Sequence, residues 1–223
     1  WRWQPYLIEY PSAVLREKVC FMTQLLEDTF STKMLSHRAG RWAFDSRYAK
    51  LLIELGYQVD CSVTPRVNWR NAKGAPQGSG GTDYQHFPQH AYFIDVDDIS
   101  KPGTSSLLEV PMSIQYKHPA WLNVIKQSYD RLRGKYRSPS VNWLRPSGGN
   151  TAQMIDVAQK CLAQGNGYVE FMLHSSEFMP GGSPTFKDEA AIEGLYRDLE
   201  ELFEWLATRT QGMTLAGFYQ QQK

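Results

Sequence analysis

Ionisable and polar side chains follow short apolar segments at three places in this chain. Each apolar segment is predicted to be a strand, and each runs into residues that suit acid–base or anion chemistry: residues 33–35 before Arg38 and Arg41, residues 57–59 before Asp60, and residues 169–173 before His174 and Glu177. Carboxylates and imidazoles exchange protons, and guanidinium groups bind anions. The pattern therefore predicts a site built from strand ends.

Helices and strands alternate along the sequence. Apolar residues at helical spacing predict helices that begin near Ser12, Asp45, Pro119, Asn150 and Asp188. Strands are predicted between them, at residues 34–38, 57–63, 91–96, 107–114, 141–145 and 168–173. Because parallel neighbouring strands need a crossover, usually a helix, the alternation predicts an α/β fold with a parallel sheet.

The helix predictions also specify ends and inward faces. Gly56 and Gly134 are expected to end the second and third helices. The first helix is expected to bury Val14, Leu15, Val19, Met22, Leu25 and Leu26. The last helix is expected to bury Ile192, Leu195, Leu199, Leu202, Phe203 and Leu206.

In α/β folds the functional site lies at the carboxyl ends of the strands. The residues expected along one such rim are Arg38, Arg41, Asp60, Arg145, His174 and Glu177. Structural alternatives exist for several of them. Arg38 and Asp60 also suit an ion pair that closes the sheet, and His174 also suits a hydrogen-bonded structural histidine. Trp42 is placed either to face a sugar ring or to pack in the core.

Composition narrows the class of protein. The 223 residues, 42% hydrophobic and 21% charged, fit one globular domain over residues 1–223 with a long loop at residues 64–106. A net charge of +1 favours neither nucleic acid nor an anionic membrane surface. No apolar run is long enough for membrane insertion, so we expect a cytoplasmic protein. The sequence leaves the oligomeric state open.

Four segments together resemble the later motifs of the NodB-homology polysaccharide deacetylases, in the branch associated with surface-polysaccharide biosynthesis. These segments are residues 38–42, 55–65, 143–146 and 172–177, with further similarity at residues 107–111 and 179–184. The resemblance implies an irregular (β/α) barrel with fewer than eight strands. It also implies hydrolysis of N-acetyl groups on an amino sugar or polysaccharide, with a divalent metal, zinc, as cofactor.

The resemblance assigns roles to individual residues. His174 matches the late histidine that protonates the leaving amine, and Arg38 matches the arginine that braces the catalytic base. Asp60 lies in the acidic motif that orients the late histidine, although the usual downstream Asp-Trp pair is absent. The carbohydrate is expected to bind the remaining residues of the rim: Arg41, Trp42, Arg145 and Glu177.

The early part of the family pattern is missing. The family's Asp-Asp pair and histidine-containing metal motif precede the arginine motif, whereas residues 1–36 contain no histidine and one aspartate, Asp28. We therefore expect a chain that lacks the first barrel strands and assign no metal ligands within it. Asp83, His86 and His90 have a ligand-like spacing, but we predict a polar loop there. The alternative function is a non-catalytic carbohydrate-binding or scaffold domain of the same fold.

Overall fold

The computed structural model describes residues 4–132 and 139–223. The chain divides into two compact units. The first comprises Trp1–Pro111 with Met213–Lys223, and the second comprises Met112–Gly212. The expected single domain over residues 1–223 stays a prediction, because the packing inside each unit bears on that unit alone.

The described residues form six α-helices and six short strands. The helices are α1 (Ser12–Phe30), α2 (Ser46–Glu54), α3 (Ala120–Leu132), α4 (Thr151–Ala163), α5 (Glu189–Ala207) and α6 (Leu215–Gln221). The strands are β1 (Ser36–His37), β2 (Val59–Asp60), β3 (Tyr92–Phe93), β4 (Leu108–Glu109), β5 (Ile114–Tyr116) and β6 (Val141–Trp143). None of these helices is long and apolar enough to cross a lipid bilayer.

The first unit contains a four-stranded sheet in the order β1-β2-β4-β3. β1, β2 and β4 are parallel, and β3 runs antiparallel to β4. In the second unit β5 and β6 form an antiparallel pair. The α/β class is thus confirmed, whereas neither sheet of the described residues is closed, so the barrel stays a proposal.

The predicted start of α2 near Asp45 and its predicted end at Gly56 are confirmed. The Asp45 carboxylate accepts a hydrogen bond from the backbone N–H of Tyr48 and so satisfies one donor that the first helical turn leaves free. The helix is followed by Gly56 at a φ of +84°, a conformation that glycine adopts without steric cost. Tyr48, Leu51, Leu52 and Leu55 follow a helical apolar spacing that predicts an inward face; the first three are buried, and Leu55 is partly buried against the same core.

The inward face of α1 is only partly as predicted. Leu15 and Val19 are buried, but Met22 and Leu25 are exposed. The next inward position after Val19, one turn later, is taken by Thr23, whose hydroxyl lies 2.9 Å from the Tyr57 hydroxyl. Leu15, Val19 and Thr23, spaced four residues apart, thus form the inward row, and Met22 and Leu25 lie outside it.

In the second unit α5 packs against α4. Asp188 caps α5 by accepting from the backbone N–H of Ala191, as predicted. Five of the six expected inward residues are buried: Ile192, Leu195, Leu199, Leu202 and Leu206. The prediction was wrong for Phe203, which is exposed and makes an edge contact with the Phe171 ring at 5.6 Å. Asn150 precedes α4 but makes no side-chain cap, because its Oδ1 accepts from Ser147.

Two strand predictions were wrong, one in extent and one in type. The segment 107–114 is split into β4 and β5 around Pro111, which has no N–H for a ladder. Residues 168–173 form no regular strand: the Met172 N–H donates to the Leu144 carbonyl, but the Glu170 N–H donates to the Ser113 hydroxyl. The predicted helix end at Gly134 lies outside the described residues, and α6 was not predicted.

Leu202 and Glu201 are neighbours on α5, but Leu202 is buried and Glu201 is exposed, so substitutions at the two positions should affect stability differently. Leu202 is fully buried, so Leu202→Ala should lower the free energy of unfolding by about 2–5 kcal/mol through lost apolar burial and the cavity left behind. Glu201→Ala, on the exposed side, should change it by less than about 0.5 kcal/mol. Urea unfolding of both variants measures this, and equal losses would contradict the inward face given to Leu202.

Candidate functional site

Three ionisable side chains lie in one row of the first unit's sheet. His37 ends β1, Asp60 ends β2 and Glu109 ends β4, and the strand register pairs His37 with Asp60 and Asp60 with Glu109. Side chains paired in this way in parallel strands lie on the same face of the sheet. Asp60 and Glu109 are fully buried, so two carboxylates lie inside the protein at the carboxyl end of the parallel strands.

The Asp60 carboxylate is bonded at both oxygens. Its Oδ1 lies 2.6 Å from His37 Nδ1 and accepts from the Ser62 hydroxyl at 2.9 Å, and its Oδ2 accepts from the Ser62 backbone N–H at 2.9 Å. Burying a carboxylate is costly unless hydrogen bonds replace its water. These bonds make the buried position possible.

His37 connects Asp60 to helix α2. Its Nε2 lies 2.8 Å from the Tyr48 hydroxyl, and its side chain is 13% exposed. Burial raises the pKa of Tyr48, and the nearby Asp60 carboxylate and Tyr57 add to the effect, so the hydroxyl keeps its proton. With Tyr48 donating to Nε2 and Nδ1 donating to Asp60, a neutral imidazole satisfies both contacts.

His37 was missed when the sequence was searched for site residues. It lies next to Arg38, in the polar segment that follows residues 33–35. The signal that identifies it is its position at the end of one predicted strand, level with Asp60 at the end of the next. Glu109, at the end of β4, is likewise not among the predicted site residues. Its Oε1 accepts from the backbone N–H of Val63 at 2.9 Å.

The arginine motif forms a strained turn after β1. Arg41 and Trp42 have φ values of +56° and +58°, and residues Gly40–Trp42 form a short 3-10 turn. Each such conformation costs a non-glycine residue of the order of 1–3 kcal/mol, and these residues cluster at functional sites. The Tyr84 hydroxyl donates to the Trp42 carbonyl at 2.6 Å and so holds the turn.

The side chains of this turn are differently exposed. Arg38 and Arg41 are exposed, and the Arg38 guanidinium lies 5.5 Å from the centre of the Trp42 ring. Trp42 is partly buried and packs against the core of the first unit. The turn therefore presents guanidinium groups to solvent beside a fixed aromatic ring, an arrangement that suits a polar ligand with an apolar face.

In the second unit Glu177 organises the end of the segment 169–173. Its Oε2 accepts from the backbone N–H of His174 at 2.8 Å, and its Oε1 accepts from Arg145 Nη2 at 2.9 Å. Glu177 is buried, whereas His174 is exposed. Glu177 therefore holds the backbone of His174 and leaves the imidazole accessible from solvent.

The predicted site residues fall into two groups. Arg38, Arg41, Trp42 and Asp60 lie in the first unit, and Arg145, His174 and Glu177 lie in the second. In the first unit the Arg38 guanidinium lies beside the Trp42 ring. In the second unit Glu177 bonds to the Arg145 side chain and to the backbone of His174. A single rim that joins both groups stays a prediction.

The described residues do not fit a zinc site. Among residues 4–132 and 139–223 there is no group of three metal-ligating side chains, whereas zinc sites usually use three or four. In the loop with ligand-like spacing, Asp83 accepts from Asn68 Nδ2 and from the Gln85 N–H, and His86 and His90 are exposed. No chemical step is therefore derived through a metal.

No protein-family model, no curated protein and no solved structure matches this chain. The resemblance to the NodB-homology deacetylases thus rests on its motif residues alone. Fold and activity beyond the α/β class are proposals.

The buried tyrosines around the row of carboxylates predict a specific response to alkali. Burial raises the pKa of Tyr48, Tyr84 and Tyr92; the carboxylate of Asp60 raises the pKa of all three further, and that of Glu109 raises the pKa of Tyr84 and Tyr92. An unfolded tyrosine loses its proton near pH 10, whereas the folded one keeps it, so stability is complete below that pH and falls above it. Each such tyrosine should contribute a loss of about 1.4 kcal/mol per pH unit.

Tyr48→Phe should therefore make the alkaline loss of stability shallower by about 1.4 kcal/mol per pH unit above pH 10. Tyr196→Phe, at an exposed position, should leave the slope unchanged. Urea unfolding across this pH range measures both slopes. Ionisation of Tyr48 in the folded protein near pH 10, seen as a difference in ultraviolet absorbance from Tyr48→Phe, would contradict the prediction.

Proposed function

We propose that this chain belongs to a metal-dependent hydrolase of the NodB type, with an irregular (β/α) barrel, that removes N-acetyl groups from an amino sugar or polysaccharide. The observation that supports it most is the pair of buried carboxylates, Asp60 and Glu109, at the carboxyl ends of parallel strands β2 and β4. Functional sites of α/β folds lie at these ends. The order of the motif residues along the chain supports the same proposal.

In the first unit the proposed roles follow from exposure. Asp60 is bonded at both oxygens and therefore acts as a positioning residue, fixed by His37 and Ser62. Arg38, which is exposed, is the residue proposed to brace a catalytic carboxylate with its planar guanidinium. Arg41 and Trp42, held in the strained turn, are the proposed contacts for the N-acetylated sugar.

In the second unit His174 is the proposed general acid. In the reaction the oxygen of water joins the acetyl carbon, the carbon–nitrogen bond breaks, and acetate and a free amine form. His174 donates the proton that the departing amine nitrogen takes up. Its exposed ring and its backbone, fixed by Glu177, suit this role. The Arg145–Glu177 ion pair keeps Glu177 in place.

A second candidate is a non-catalytic carbohydrate-binding or scaffold domain of the same fold. It is favoured by the lack of three grouped metal ligands among the described residues. Calorimetric titration with zinc at neutral pH should show no tight site in the 223-residue chain. Submicromolar binding that is abolished by changing His86 and His90 would contradict this.

The same titration on the native gene product that contains this chain separates the two candidates. A stoichiometric zinc site together with zinc-dependent acetate release from an N-acetylated oligosaccharide supports the hydrolase. Oligosaccharide binding without zinc or acetate release supports the binding domain.

His174→Ala should lower turnover by roughly 10²- to 10⁴-fold, the usual contribution of positioned proton transfer. The measurement is acetate release by the native gene product from an N-acetylated oligosaccharide, with zinc content and circular dichroism as controls. Retained activity would leave His174 as a structural residue, and parallel loss of zinc would make it a ligand.

Arg38→Lys should lower turnover by roughly 10- to 100-fold and change KM less, because an ammonium group cannot reproduce the bidentate contact of a guanidinium with a carboxylate. Lys33→Arg, which alters an exposed cation outside the motif, serves as the control. Unchanged turnover in Arg38→Lys would assign Arg38 to structure instead of the reaction.

A further inference from the structure

The second unit carries two helices of opposite charge. Residues 117–132, which include α3, contain three Lys or Arg residues and one acidic residue, Asp130, and three more cations follow in the sequence of residues 133–137. Residues 188–207, which include α5, contain seven acidic residues and one cation, Arg197. The net charge of +1 for the whole chain therefore conceals a strong local separation.

The basic helix exposes its apolar side. Trp121, Ile125, Tyr129 and Leu132, here called the α3 face, are 62%, 59%, 55% and 86% exposed. Their spacing of three or four residues places them along one side of the helix. Asn123 is buried, and its side chain donates to the His118 carbonyl. A polar residue thus points inward while the apolar stripe meets water.

The acidic helix has an exposed apolar surface as well. Tyr196 and Phe203 of α5 with Phe178, here called the α5 face, are between 40% and 47% exposed. The rings of Phe178 and Tyr196 lie 5.8 Å apart. A shallow depression on this helix is lined by Tyr196, Leu199, Glu200, Phe203, Glu204 and Ala207. Carboxylates therefore lie beside the apolar surface.

We propose that the α3 face of one copy of this chain binds the α5 face of a second copy, in a two-fold symmetric dimer. Two-fold symmetry makes the contact twice, once in each direction, which doubles the buried area and closes the assembly. Trp121 is the proposed anchor, because large aromatic residues that enter a depression dominate binding energy. Lys117, which is exposed just before α3, meets Glu200 and Glu204 of the other copy.

The charges beside the α3 and α5 faces favour a second copy of this chain over other binding partners. Pairing α3 with α3, or α5 with α5, brings like charges together. An anionic membrane surface suits the α3 face but repels the acidic α5 face and leaves it in water. Helix α1 also exposes an apolar residue, Phe21, but both signs of charge surround it, as in Glu17, Lys18 and Asp28, so it matches neither face.

The first test compares two equally exposed aromatic residues. Trp121→Ser removes the proposed anchor, whereas Phe21→Ser removes a side chain of similar exposure, 64%, on α1. Sedimentation equilibrium should show a dimer for the unaltered chain. Trp121→Ser should raise its dissociation constant by roughly 1,000-fold, because each dimer loses two anchors and each has the size of a binding hot spot. Phe21→Ser should leave it unchanged.

The second test reverses charges. One variant, Lys117→Glu, carries an acidic group in place of the exposed cation next to the α3 face, and the other, Glu200→Lys with Glu204→Lys, carries cations in place of two carboxylates that line the depression on α5. Each alone should be monomeric, because its faces repel. An equal mixture should form a heterodimer, since both of its contacts are then between opposite charges. Recovery of the dimer on mixing also shows that both variants are folded.

Three results would overturn the proposal. One is a monomer at every concentration of the unaltered chain. Another is a dimer that Trp121→Ser does not weaken, or the absence of a heterodimer when the two charge-reversed variants are mixed. The last is a monomer that sediments with phosphatidylcholine–phosphatidylglycerol vesicles and loses this binding in Trp121→Ser, which would assign the α3 face to a membrane surface.

Discussion

The buried carboxylate of Asp60 is the constraint on which the first unit depends. A charge without water is stable only when the surrounding groups supply hydrogen bonds. His37 and Ser62 supply them, and the same contacts connect the strand ends to other elements. Tyr48 of α2 bonds the far side of His37, and the Ala39 N–H donates to the Ser62 hydroxyl at 2.8 Å. The turn that carries the arginine motif is therefore fixed to Asp60 through its first residues.

Glu177 has a similar part in the second unit. It is a buried carboxylate whose two oxygens hold a guanidinium, that of Arg145, and the backbone of His174. In both units the acidic group is internal and fixed, while the neighbouring Arg38 or His174 is exposed. In each unit the fixed carboxylate holds backbone groups in place, and the exposed side chain beside it is the one to which the proposed function gives a role in the reaction.

Features set by local interactions could be predicted from the sequence. The caps at Asp45 and Asp188 and the turn at Gly56 involve residues within one helical turn, and they lie where the sequence placed them. Features that depend on distant partners could not. The register that pairs His37 with Asp60 joins residues 23 positions apart, and within residues 168–173 the Glu170 N–H bonds to the distant Ser113 hydroxyl. The same limit applies to the candidate site, whose residue types were visible but whose pairings were not.

A double-mutant cycle on His37 and Asp60 tests the central claim most directly. The free energy of unfolding is measured for the unaltered chain, for His37→Ala, for Asp60→Ala and for the double variant. Because each single change leaves a buried group without its partner, the account predicts a coupling of about 1.5–3 kcal/mol, with the double variant less destabilised than the sum of the two. Additivity within about 0.5 kcal/mol would contradict the account, because the strand ends would then not depend on this interaction.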